Sequence, residues 1–386
     1  MRRLVVMVSA IILVDTLFYA ALAPILPDLS SAFGLSKGQS GLLVASYAAG
    51  SLAGAIPAGW LVARFGVRAV LVTGLLVMGG AGLVFALAGT IALLDGARFV
   101  QGLGGAATWT AGLAWLAQTA PPARRGQVIG TAIGAGVFGA QLGPVLGALA
   151  EAVGRGPAFA LAAVFGVGMA GWALTAPGPA ALPEPRTTTV TAALRDRPFR
   201  VALWLTLLPA TCFGVVEVLV PLELDDLGAT TFAIAAVFFA AALVEAVASP
   251  LTGRWADRHG VRGVVRVGLL GAAAGLALLT LPGTWVLLGL VFVVMSGFLG
   301  MLWTPGGDLV ATAADRIGLD QGWAFAANNM QWAGGAAIGS AAGGALGQAV
   351  GDGVPYLLGA ALCLLTARFW WFGGKVGPDR PLPSSQ

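Results

Sequence analysis

The feature that most constrains this chain is a succession of apolar runs, each long enough to cross a bilayer. A membrane helix needs roughly 20 apolar residues, because at 1.5 Å per residue that length matches the hydrocarbon core. Twelve such runs can be drawn, at 4–27, 38–62, 69–89, 91–119, 128–151, 157–177, 200–221, 229–251, 263–281, 284–313, 322–349 and 354–373. The breaks carry turn chemistry or charge, as in Ser36-Lys37-Gly38, Arg64-Phe65-Gly66, Pro121-Pro122, Pro282-Gly283 and Gly351-Asp352-Gly353. Charged residues make up only 10% of the chain, against about 25% in a soluble domain. That shortage excludes a soluble enzyme, a nucleic-acid binder and a disordered chain. Cys212 and Cys363 sit in apolar runs and give neither a disulfide framework nor a zinc spacing. The lone histidine, His259, reads as a loop residue. No nucleophile–base pair, metal cluster or phosphate loop stands out, so neither an enzyme nor a bound cofactor is expected.

The start of the chain imitates a secretory signal, with Arg2-Arg3, an apolar run and Ala21-Leu22-Ala23. Asp15 interrupts that run and Pro24 follows the imitated cleavage site, so an uncleaved first helix is the better reading. Lys and Arg set the orientation. With the N-terminus inside, 18 of 21 basic residues fall in cytoplasmic segments, Lys37 and Arg155 fall in outer loops, and Arg98 lies within a span. Both termini are therefore expected in the cytoplasm. Arg outnumbers Lys 19 to 2, and Ala and Gly abound, which suggests a GC-rich bacterial genome and hence a bacterial cytoplasmic membrane.

The longest polar interruption, 178–199, is rich in Pro, Thr and Arg and reads as a cytoplasmic linker. It separates a six-helix bundle over 1–177 from a second over 200–373, followed by a cytoplasmic tail at 374–386. The halves echo each other. Gly59-Trp60-Leu61-Val62-Ala63-Arg64-Phe65-Gly66-Val67-Arg68 recurs as Gly253-Arg254-Trp255-Ala256-Asp257-Arg258-His259-Gly260-Val261-Arg262, an offset of 194 that also relates Pro27 to Pro221. Gly66 and Gly260 can take the positive φ of a tight turn, and the arginines hold the loop on the cytoplasmic side. Paired six-helix halves are the sequence mark of a transporter whose halves rock about a central site. The expected fold is all-α, with 12 transmembrane helices in two pseudo-symmetric bundles.

Several polar or small residues inside the spans stand out. In the fourth, Arg98, Gln101, Gly102 and Gly105 fall at i, i+3, i+4 and i+7, on one helical face. An arginine there faces a cavity or partner, or snorkels to the outer surface. In the fifth, Gly139, Gly143 and Gly147 recur every four residues, a smooth face for close helix approach, and Pro144 permits a kink. The eleventh repeats the theme at Gly335, Gly339, Gly343 and Gly347. In the first, Asp15 lies 12 residues past Arg3, about 18 Å and near mid-membrane. A carboxylate at that depth is either a functional group or locked to a neighbouring helix. Phe18 and Tyr19 follow one turn on and could stack on a cation. Glu217 in the seventh span is a second proton or cation site, or an outer-mouth charge. Glu245 in the eighth lines a cavity or pairs with Arg254. Asn328, Asn329, Gln331 and Trp332 in the eleventh would face the cavity, since lipid contact is costly for polar groups.

Together these motifs resemble the major facilitator superfamily over essentially the whole chain. The two decamers are similar to its loop signature G-x-L-x-D-R-x-G-R; the second keeps the acid, Asp257, and the first has Ala63 there. Arg98-x-x-Gln101-Gly102 resembles the fourth-helix motif of its proton-coupled members. Gly130, Gly139, Gly143-Pro144 and Gly147 resemble the fifth-helix motif of its 12-span drug/proton antiporter branch, with Ala148 replacing a final glycine. Asp15, Pro24 and Pro27 resemble the first helix of that branch, including the vesicular amine transporters, although the acid those carry near Asn329 is absent. The resemblance implies a proton-coupled antiporter that exports small amphipathic or cationic compounds by alternating access. Asp15, Arg98 and Glu217 would couple the proton, with Asp15 contested by proton and cation. The proton gradient would be the energy source, the lipid bilayer and a small molecule the partners, and a monomer the functional unit. The alternatives are a proton symporter importing a small metabolite, which the fifth-helix motif speaks against, and a sensor without transport, which idle buried charges make costly.

Overall fold

The structure is a computed structural model. It describes residues 1–121, 124–176, 190–319 and 321–372. Most of the linker, the 374–386 tail and the side chain of Asp257 lie outside the described residues. Those residues form helices and turns, with no strand among them. The helices are α1 (Arg2–Ala20), α2 (Leu22–Phe33), α3 (Lys37–Phe65), α4 (Val67–Leu87), α5 (Ile91–Thr119), α6 (Arg125–Val153), α7 (Arg155–Thr175), α8 (Val190–Ala193), α9 (Arg197–Asp226), α10 (Thr231–His259), α11 (Val261–Leu278), α12 (Trp285–Gly300), α13 (Trp303–Ile317), α14 (Gln321–Val350) and α15 (Gly353–Phe372).

Two expected spans are each divided by proline. Pro24 has no N–H for the carbonyl of Ala20, and the first span breaks at Ala21 into α1 and α2. Pro305 does the same to Met301, and the tenth splits into α12 and α13. Ala21 keeps helical angles (φ −67°, ψ −16°), so that break is a kink and the two pieces run on as one stretch. Among the described residues, ten stretches are long and apolar enough to cross a membrane. α5 and α14 have the length and are not among these ten; glycine lowers the hydropathy of both, and Asp95, Arg98 and Gln101 interrupt one and Asn328, Asn329 and Gln331 the other.

The chain forms two compact units, Met1–Pro185 with Ala229–Phe239, and Arg186–Gly228 with Ala240–Gln386. The first turns of α10 thus pack with the first unit, although they follow the linker in the chain. Within the first unit α1 packs on α6, α5 on α3 and α4, and α4 on α7. The second repeats three of these pairings, with α9 on α14, α11 on α12 and α11 on α15. Each unit has its own apolar core. Met7, Ile11, Leu71 and Trp115 lie in the first, and Phe199, Leu203, Val310 and Ala314 in the second.

Apolar burial does not drive helices together within lipid, so close packing must. The glycine stripes show where it happens. A methyl at Gly139 would strike the carbonyl of Leu13, one at Gly143 would strike Ala20, and one at Gly147 would lie 2.7 Å from the Ala21 carbonyl oxygen. In the second unit a methyl at Gly335 would lie 2.6 Å from the Leu207 carbonyl oxygen, and one at Gly339 would strike that of Thr211. Leu13 and Leu207 differ by the same 194 residues as the decamers.

The decamer glycines adopt one shared conformation, φ 81° and ψ 158° at Gly66 and φ 82° and ψ 154° at Gly260, which an L side chain resists. The arginines also make specific contacts. Arg68 donates to the carbonyl of Ala176 at the end of α7 and lies 5.7 Å over the Trp115 ring. Arg64 lies 5.8 Å over Trp60. Arg258 is exposed and Gly59 and Gly253 are half-buried.

Candidate functional site

Asp15 is fully buried in the first unit, with 0% of its surface exposed. Both carboxylate oxygens already accept hydrogen bonds from the protein. The Tyr47 hydroxyl of α3 donates to one at 2.8 Å, and the Trp109 indole N–H of α5 donates to the other at 2.8 Å. Three helices thus converge on one charge. Gly105 makes the space, since a methyl there would sit 2.7 Å from the Tyr47 hydroxyl oxygen and 3.2 Å from both Asp15 oxygens. Gly102 sets the approach of α3 to α5, because a methyl there would strike the carbonyl of Tyr47. The fourth-span motif is therefore a packing device as well as a polar face.

Arg98 is 1% exposed, so it does not snorkel. Its guanidinium donates to the carbonyls of Phe18 at 3.3 Å and Tyr19 at 3.2 Å, and to the Gln101 side-chain oxygen at 2.9 Å. It lies 5.1 Å from the Tyr47 ring centroid and 5.9 Å from those of Tyr19 and Phe85. Aromatic faces and carbonyl oxygens replace the water that a buried cation loses. Tyr47 links the two charges, its hydroxyl on Asp15 and its ring under Arg98. Arg98 in turn grips the backbone of α1 one turn beyond Asp15.

The second unit holds a different arrangement. Glu245 of α10 accepts a hydrogen bond from the Trp303 indole of α13, and the charge of Glu217 of α9 reaches it. Trp303 stacks on Phe213, with ring centroids 5.9 Å apart and planes 13° from parallel. Gly300 leaves room, since a methyl there would meet the Glu245 side chain at 2.5 Å. Glu217, Glu245 and Trp303 are half-buried, unlike Asp15. Two carboxylates beside a stacked aromatic pair can hold a cation through charge and ring face.

The other expected site residues lie as follows. Phe18 is buried against Phe159, with ring centroids 6.0 Å apart, and contributes its carbonyl to Arg98. Tyr19 packs against Tyr47 with ring centroids 4.9 Å apart and planes tilted by 44°. Asn328 accepts from Thr206 at 2.6 Å and so ties α14 to α9. Asn329, Gln331 and Trp332 are half-buried on α14. The sequence reading missed Tyr47, Trp109, Phe213 and Trp303. One signal was available, because the decamer offset of 194 also relates Trp109 to Trp303 and Tyr19 to Phe213.

Repeated helical units with ionisable groups held at mid-span in each define a secondary membrane transporter. The model of the Major Facilitator Superfamily matches residues 8–244 and again 210–386. The chain belongs to that superfamily and is a multi-pass membrane protein. Among its relatives is an MFS-type transporter, ppzB, of Metarhizium rileyi, 33% identical over 156 residues that cover 39% of this chain and 32% of the relative. Another is a probable vesicular acetylcholine transporter-B of Danio rerio, 34% identical over 157 residues, 38% of this chain and 32% of the relative. The chain thus spans about a third of the length of these curated relatives in the matched regions. The crystal structure of a D-xylose-proton symporter superposes with a TM-score of 0.73, covering 96% of this chain and 97% of that one at 18% identity. That likeness establishes the fold. The family and these relatives are transporters, not enzymes.

Proposed function

We propose that this transporter exports small amphipathic cations in exchange for protons, as a member of the 12-span drug/proton antiporter branch. The two tasks are divided between the units. Asp15 takes the proton, and the group formed by Glu217, Glu245, Trp303 and Phe213 takes the cation. The observation that carries this reading is the contrast in burial. Asp15 is sealed and hydrogen-bonded on both oxygens, which leaves space for a proton but not for an organic ammonium group. Glu217 and Glu245 are half-buried beside a stacked aromatic pair. Direct competition of proton and cation at Asp15, the simplest scheme from sequence, therefore gives way to coupling at a distance.

A proton on Asp15 removes the charge that Tyr47 and Trp109 address, and charge-assisted hydrogen bonds are about twice as strong as neutral ones. Tyr47 passes that change to Arg98, which holds α1 by two carbonyls. The grip on α1 thus depends on whether Asp15 is charged, and alternating access draws on that dependence. The Danio rerio relative is named for acetylcholine, itself a cation, and this supports the substrate class. The excess of arginine over lysine supports a bacterial cytoplasmic membrane, the gathering of 18 of 21 basic residues on one side supports termini in the cytoplasm, and each chain acts as a monomer.

The test uses purified protein in liposomes carrying an internal pH dye. With the lumen acidic, lipophilic amines and cations are added outside. Wild type should release protons in response. Asp15→Asn should abolish that release, while Glu245→Gln should restore it only at higher substrate concentration. Undiminished proton release in Asp15→Asn would sink the proton assignment, and inward accumulation of a sugar or acid with protons would establish symport instead.

A further inference from the structure

A groove of about 400 Å³ opens in the second unit where the first turns of α9 and α11 meet the last turns of α15. Arg197, Arg262, Trp204, Trp370, Leu365 and Phe369 are among its lining residues. Its chemistry is divided. Leu365 and Phe369 are 52% and 73% exposed, an apolar wall suited to hydrocarbon. The other wall is cationic and poor in acceptors. Nη2 of Arg262 and Nε1 of Trp370 are buried with no hydrogen-bond partner among the described residues. Trp204 already donates to Thr366 at 3.1 Å. α11 and α15 carry no Asp or Glu, so neither helix brings a carboxylate of its own to Arg262, and α15 adds Arg368. Asp196, next in the chain to Arg197, is engaged by Arg316 at 2.5 Å and by the N–H of Phe199 at 2.9 Å.

We propose that this groove binds an anionic phospholipid, its phosphate between Arg197 and Arg262 and one acyl chain along Leu365 and Phe369. Charge complementarity selects the headgroup. An incoming phosphate oxygen supplies the acceptor that Arg262 and Trp370 lack, and the exposed apolar wall selects a lipid over free phosphate. The site is separate from the proton and cation groups and does not depend on their assignment.

Native mass spectrometry of the full chain with phosphatidylglycerol or phosphatidylcholine tests it. Wild type should retain phosphatidylglycerol on the order of 30-fold better, the preference expected from two arginines near a membrane surface. The Arg197→Gln/Arg262→Gln variant should lose that preference, and Arg2→Gln/Arg3→Gln, which removes the same charge elsewhere, should keep it. Equal retention of both lipids by wild type, as when a protein segment fills the groove, overturns the proposal, and so does undiminished preference in the Arg197/Arg262 variant. A second readout needs no variant. Tryptophan quenching in nanodiscs doped with dibrominated phosphatidylglycerol should saturate at low mole fraction, as a site does. Quenching that only rises in proportion, as for the brominated phosphatidylcholine control, overturns it.

Discussion

Trp109 and Trp303 stand 194 residues apart, and each donates its indole N–H to a carboxylate of its own unit, Asp15 and Glu245. An indole is a donor only, so in lipid it must find an acceptor, and a buried carboxylate must find donors. Asp15 and Arg98 were legible as candidates because an ionisable side chain in an apolar run has no cheap alternative. Trp109 and Tyr47 were not, because an aromatic in a membrane helix reads equally well as core or interface. Trp303→Phe keeps the stack on Phe213 and removes the hydrogen bond to Glu245. It should raise the apparent KM for cations about 5- to 10-fold, the equivalent of one lost hydrogen bond, and leave maximal proton release near wild type. A fall in maximal rate at unchanged KM would contradict the cation role. Arg98→Lys should be nearly as damaging as Arg98→Gln, because an ammonium cannot span the Phe18 and Tyr19 carbonyls with one planar fork. Proton-driven exchange by the two variants measures this.

At the scale of the element, the glycines of α6 separate by what surrounds them. Gly130 opens the antiporter-like pattern but has no atom within 4 Å of an added methyl, whereas Gly139 faces the carbonyl of Leu13. Gly130→Ala should therefore stabilise the helix by up to about 1 kcal/mol, and Gly139→Leu should destabilise the protein by about 1–3 kcal/mol or more through overpacking. Thermal unfolding in detergent should move the two midpoints in opposite directions. Gly339→Leu on α14 should copy the effect of Gly139→Leu, as the matched contact with Thr211 requires. The spacing of small residues in the sequence named the close-packing stripes. It did not separate contacting glycines from idle ones, since that depends on which backbone lies opposite. The kinks at Ala21 and at Met301–Leu302 follow from Pro24 and Pro305, which the chain displays openly, yet both spans read as single helices because their apolarity runs unbroken through the kink.

For the whole molecule, the distribution of 18 basic residues against Lys37 and Arg155 predicts a topology. A cysteine at Lys37 should react with a membrane-impermeant maleimide added to intact cells, and one at Arg258 should react only after the membrane is opened. Cys212 and Cys363 are buried and should contribute little background. The reverse pattern would invert the orientation and with it the direction of export. Exchange activity should stay proportional to protein down to less than one chain per liposome, as expected if each chain holds a complete pathway.

The amino-acid sequence alone determined the apolar runs, the repeat at an offset of 194 and the position of each charge along its run. These properties are local or periodic, because hydropathy sums along a run and a repeat is visible as an offset. Only the tertiary structure decided what each charge meets. Asp15 is held by Tyr47 and Trp109, which lie 32 and 94 residues away in the chain, on two other helices. Their meeting depends on how closely α3 and α5 approach at Gly102 and Gly105, and a single added methyl there would prevent it. The same close approach turned Asp15 from a group open to proton and cation alike into one enclosed by protein on every side.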